Sequence, residues 1–84
     1  MTRLWPEGVA IDVDCDPTGQ PRQLRWAGRP HRIVAITRSW QVDSDWWRER
    51  VWRAYYKIST DSGLLLVIYE DLALGGWYLQ RLFD

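Results

Sequence analysis

The sequence predicts an all-β protein: six antiparallel strands in an up-and-down meander that curls into a small, partly open barrel. Three observations carry this. Apolar residues recur with a period of two in "VAIDVDC" and "WRAYYKIST". Turn signals ("DPTG", "WAGRP", "TDSG", "LALGG") punctuate the chain at short intervals. Other segments, such as "LLLVIYED", are apolar on both faces, and an open sheet of such strands would leave edges that invite aggregation. Eighty-four residues leave room for one domain, spanning 1–84.

The first strand places Val9, Ile11, Val13 and Cys15 on one face and Asp12, Asp14 and Asp16 on the other. "DPTG" then has Asp, Pro and Gly where a type I turn wants them. "RQLRW" returns as the second strand. After Gly28 and Pro30, "HRIVAITRSWQV" reads as a long third strand, with Ile33 and Ala35 on one face and Val34, Ile36 and Trp40 on the other. "DSDWWRERV" has Asp43 or Ser44 as a cap, and Trp47 and Val51 stand four apart. A short helix or a long loop is expected near residues 43–51. The fourth strand sends Trp52, Ala54, Tyr56 and Ile58 one way and Arg53, Tyr55, Lys57 and Ser59 the other. "LLLVIYED" and "WYLQRLFD" complete the six.

The totals restrict the function. A chain this short buries only about 60% of its unfolded surface, and large rings compensate. Most of the seven tryptophans are therefore expected to build core. One cysteine excludes an internal disulfide framework and fits a reducing compartment. No apolar run reaches the roughly 18 residues of a membrane span, and "MTRLWPEG" lacks a signal-peptide core. A soluble, cytoplasmic protein without a membrane partner is expected. Net charge is zero, which argues against a dedicated duplex-DNA binder. Residues 1–21 and 58–84 each carry −3, while residues 22–57 hold nine cations against three acids, net +6.

Few chemical sites are legible. "DVDCD" superficially matches a calcium loop, but Pro17 and Gln23 stand where that loop needs Gly and Glu. Cys15 and His31 alone do not make a zinc site. Cys15, on the apolar face of its strand, reads as a small core residue. No serine sits in a nucleophile elbow, and glycine serves only as turn punctuation. The sequence predicts no enzyme, no metal and no cofactor.

Binding remains. Tyr55 shares a strand face with Arg53 and Lys57, an arrangement that stacks a base when the face is open and covers a second small cluster when it is not. The candidate basic-aromatic surface is Arg29, Arg32, Arg48, Arg50, Arg53, Tyr55 and Lys57.

"W-x-G-R-x-H-R-I" (Trp26 to Ile33), Trp40, the "WW" pair, "YYKI-x-T-x-x-G" (Tyr55 to Gly63), "YED" and "GGWYLQRLFD" resemble a bacterial domain family. It is similar to the C-terminal tail of ImuB-type proteins, the non-catalytic Y-family polymerase relatives of the bacterial mutasome. The resemblance covers roughly residues 20–84. It implies a DNA-repair or replication setting and transfers no functional residue. The first expectation is thus a non-enzymatic interaction module whose partner is a protein or a second copy. Single-stranded DNA is the alternative partner, and a small-ligand barrel the third reading.

Overall fold

The computed structural model describes residues 2–46 and 49–83, without the side chains of Trp46 and Glu49. Six strands follow one another: β1 (Arg3–Cys15), β2 (Pro21–Trp26), β3 (Arg29–Trp46), β4 (Glu49–Thr60), β5 (Leu65–Asp71) and β6 (Trp77–Phe83). Each pairs antiparallel with its sequence neighbour, and β6 pairs back onto β1, so the sheet closes into a ring. The all-β meander expected from the turn signals is present. No helix among the described residues is long and apolar enough to cross a membrane.

The ring's interior is aliphatic. Leu24, Ile33, Ile58, Leu66, Ile68 and Leu79 form one cluster, with Trp5, Ile11, Val13, Trp26, Tyr56 and Trp77 packed around it. Ile58, Leu66, Ile68 and Leu79 have no exposed surface. Each such burial contributes about 1.5–3 kcal/mol, so this cluster is the main source of stability.

The turns behave as their residues dictate. Asp16 accepts from the Thr18 amide (2.9 Å), the Thr18 hydroxyl (2.6 Å) and the Gln20 amide (3.0 Å), and Arg22 Nε donates to its other oxygen (3.0 Å). The Thr18 hydroxyl does most to hold the Asp16 carboxyl down to about 2. Trp26 pairs with Arg29 across Ala27 and Gly28, both at positive φ (54° and 74°), as a two-residue hairpin loop requires. His31 is buried, and its Nδ1 lies 2.8 Å from Ser62 Oγ, which in turn meets Thr60 Oγ1 at 2.8 Å.

Four expectations need correction. First, the helix or loop near residues 43–51 is not there: β3 runs through Trp46 and β4 begins at Glu49. Trp46 pairs with Glu49, which leaves too little chain for a helical turn of about 3.6 residues. Cross-strand pairs hold the segment instead, including Asp45 opposite Arg50, and Arg50 reaches Asp43 at 3.4 Å. Trp47, the expected helical partner of Val51, lies outside the described residues.

Second, bulges between Ile33/Ala35 and Ile36/Arg38 break the period of two in β3. Ile36 therefore packs on the inner cluster with Ile33, while Trp40 faces out. Third, Cys15 is exposed rather than core, because the register shifts at Asp14/Cys15. Its thiol is held above its usual range by partial burial and then by Glu70, Asp16 and Asp14, which suppresses nucleophilic character. Fourth, β1 begins at Arg3, well before Val9, and Val9 is exposed.

Candidate functional site

The outer face of β3–β6 carries a ladder of rings. Trp40, Tyr55, Tyr69 and Tyr78 sit on four successive strands and are direct register partners. Trp40 and Tyr55 stack at 5.3 Å and 4°, Tyr55 and Tyr69 meet at 5.2 Å, and Tyr69 and Tyr78 stack at 5.1 Å. Each ring pair of this kind adds about 0.5–1.5 kcal/mol beyond its buried area. The ladder is covered in part by β1. Glu7 accepts the Tyr69 hydroxyl through its carbonyl oxygen at 3.0 Å. Gly8, at φ 78°, passes so close that a Cβ there would lie 2.8 Å from Tyr69 Oη and from Tyr78 Cβ.

This settles the place of Tyr55. It is on the outer face, as its period of two requires, but it is only 8% exposed. Trp40 covers one side and Tyr69 crowds the other. A ring so enclosed offers no surface for a base, so Tyr55 belongs to a second packed cluster with Val67 and Tyr69.

The other expected residues divide. Arg53 and Lys57 flank Tyr55 on the same face of β4. Arg53 lies over the Tyr69 ring at 4.5 Å and donates from Nη1 to the Tyr55 hydroxyl at 3.2 Å. Its register partner is Asp71. Lys57 Nζ lies 4.8 Å over the Phe83 ring. Arg50 packs over Trp52 at 4.8 Å, on the opposite parity of β4. Arg29 and Arg32 are exposed at the start of β3, beside the β2–β3 hairpin, at the other end of that strand from its pairing with Arg50. Arg48 lies outside the described residues. The predicted surface is therefore not one surface: Arg53, Tyr55 and Lys57 come together, and Arg29, Arg32 and Arg50 lie elsewhere.

Residues that the sequence reading passed over complete the outer face. One step along the sheet from the ring ladder runs a second row: Arg38 opposite Lys57, Lys57 opposite Val67, Val67 opposite Arg81. Arg38 lies 4.8 Å over Trp40, and Arg81 lies 5.6 Å over Phe83. A groove of about 270 Å³ opens here, lined by Arg38, Trp40, Lys57, Val67, Arg81 and Phe83, with Gln80 at its side. No acid lines it. Among the described residues the ion pairs are Arg22–Asp16 and Arg50–Asp43, so Arg38, Lys57 and Arg81 form none with a described residue. Like charges placed directly opposite one another destabilise a strand pair, and Arg38 and Lys57 are so placed. The alternations "R-S-W-Q-V" and "R-L-F" carried the signal, once register joined the strands.

No family model, curated protein or solved structure matches this chain. The resemblance to ImuB-type tails rests on the aromatic and glycine spacing alone.

Proposed function

We propose that the chain is a non-enzymatic interaction module that grips an acidic segment of a protein partner on the outer face of β3, β4 and β6. One observation supports this above all others: Arg38, Lys57 and Arg81 are gathered around one groove with no carboxylate among its described lining residues. Among the described residues that line the groove there is no histidine, thiol or carboxylate for proton transfer or nucleophilic attack. The resemblance to ImuB-type tails favours a partner from the DNA-replication or repair machinery.

Single-stranded nucleic acid is the competing partner, since cations and rings alternate here. The rings argue against it. Trp40 has Tyr55 on one side and the Arg38 guanidinium packed on it as well. Phe83 carries Lys57 and Arg81. A base would have to displace a packed neighbour before it could stack, whereas a carboxylate reaches the same cations at their outer ends.

The test is direct competition. Tryptophan fluorescence should respond to a poly-glutamate peptide, and the response should fall at least about tenfold in Arg38→Glu/Lys57→Glu, a double charge reversal on exposed or half-buried ends. Oligo-dT should bind more weakly at matched charge and salt. Tighter binding of oligo-dT, lost in the same variant, would transfer the face to nucleic acid. Indifference of the variant to both ligands would remove the face altogether.

A further inference from the structure

The ring is closed, yet one strand keeps a long free edge. Among the described residues β2 pairs with β3 only along Arg29–Arg32, and β3 touches no strand other than β2 and β4. Beyond Ile33 one edge of β3 therefore faces no strand. Its first part is irregular, with bulges at Ile33/Ala35 and Ile36/Arg38, a device that keeps edges from pairing. Its second part has no bulge, and its charges are Arg38, Asp43 and Asp45. Arg38 to Trp46 runs in unbroken register against Lys57 to Glu49, with no bulge, proline or lysine on the β3 side. Among the described residues, no backbone bond from outside the β3–β4 ladder reaches residues 38–46. A cleft of about 290 Å³ lies between Gln20 and this stretch of the β3–β4 pair, lined by Ser39, Trp40 and Gln41 of β3 and by Ala54, Tyr55 and Tyr56 of β4.

We infer that this edge, Arg38 to Trp46, accepts an extended segment of the partner as an added strand, with an acidic side chain of that segment opposite Arg38. Two features select this occupant. The unpaired edge offers alternate N–H and C=O groups, which another backbone satisfies in register. The side chains on its outer face are Arg38, half-buried Trp40 and half-buried Val42. Opposite such residues an added strand gains most from an acid, then apolar or aromatic groups.

A second copy of this chain fits less well. Antiparallel pairing about a two-fold axis keeps each face on its own side of the sheet. The acids of β3, Asp43 and Asp45, stand on the parity opposite to Arg38. No register of β3 against itself brings an acid to that cation, whereas a foreign strand does so freely. The acid in this inference rests on the function proposed above; the added strand rests on the free edge alone.

A blocked decapeptide alternating Glu and Val tests it against the whole chain, together with two versions N-methylated at one or the other alternate set of amides. A paired strand uses only one set. Methylating that set should weaken binding at least about tenfold, since each lost hydrogen bond removes about fivefold, while methylating the other set changes it less than about twofold. Alternate β3 amides between Ser39 and Asp45 should exchange at least about tenfold more slowly with the parent peptide bound. Equal binding of both methylated peptides, still lost in Arg38→Glu, overturns strand addition and leaves acid gripping standing. Failure of the parent peptide to bind overturns both. Slowed β3 amides without peptide, with a dimer in sedimentation, would assign the edge to a second copy.

Discussion

The two faces of this sheet are both crowded with large side chains, but they are packed on different principles. Inside, Ile58, Leu66, Ile68 and Leu79 lose all contact with solvent, and their stabilisation follows buried area with little regard to orientation. Outside, Trp40, Tyr55, Tyr69 and Tyr78 form a single file of rings, one per strand, each in register with the next. Arg38 and Arg53 lie over the Trp40 and Tyr69 rings, and β1 crosses the file at Glu7 and Gly8. A small ring can thus carry two packed layers on one sheet. The inner one is aliphatic and buried, and the outer one is aromatic and carries the cations Arg38, Arg53 and Lys57.

The largest expected effect tests which layer holds the fold. Leu66→Ala removes a side chain with no exposed surface from the centre of the inner cluster. It should cost about 3 kcal/mol in urea unfolding, as buried Leu→Ala changes do. Trp40→Ala, at the half-buried end of the ladder, should cost roughly half as much despite deleting a larger group, because it forfeits one ring pair and partial burial. If Trp40→Ala is the more damaging, the outer layer is the true core and the comparison is inverted.

Gly8→Ala probes the join between β1 and the outer layer. Its φ of 78° disfavours any Cβ, and that Cβ would sit 2.8 Å from Tyr69 Oη and Tyr78 Cβ. Backbone strain of about 1 kcal/mol and overpacking of about 1–2 kcal/mol together predict a loss of about 2–3 kcal/mol by thermal melting. A near-neutral result would mean that β1 can lift from the ladder at little cost, and that the outer layer does not depend on its cover.

How much of this was legible follows from where the information lies. The period of two in β4 is local, and it correctly sent Tyr56 and Ile58 inward and Tyr55 to the other face. It could not show that the other face is also packed. That depends on Trp40, Tyr69 and Tyr78, which come from three other strands and meet Tyr55 only through register. The bulges at Ile33/Ala35 and Ile36/Arg38 are equally silent in sequence, yet they put Arg38 and Trp40 on the outer face. The segment after Val42 misled for another reason. Asp43 and Ser44 are good caps and its residues allow a helical spacing, but the long register with β4 supplied a competing partner for alternate backbone groups along the whole segment. The candidate surface was half found because charge along the chain was visible and charge across strands was not.

The smallest expected effect sharpens the chemistry of the outer layer. Tyr69→Phe keeps the ring and its contacts with Tyr55 and Tyr78 and removes only the hydroxyl bonded to the Glu7 carbonyl. Glu7 is exposed, so water can replace the lost donor, and the cost should be about 1 kcal/mol. The same hydroxyl also predicts a pH dependence. Burial pushes the Tyr69 phenol above its usual value near 10, the charges of Tyr55, Tyr78 and Asp71 add to this, and Arg53 opposes it. A raised folded-state pKa means that the neutral phenol is favoured in the folded chain. Its contribution is complete below pH 10 and is lost as pH rises from there through the folded value. Chemical unfolding followed across alkaline pH should therefore show Tyr69→Phe closing its deficit against the unaltered chain above pH 10. A deficit that stayed constant would mean that the phenol ionises alike in the folded and unfolded chains, and that the ring ladder is open to solvent at its centre.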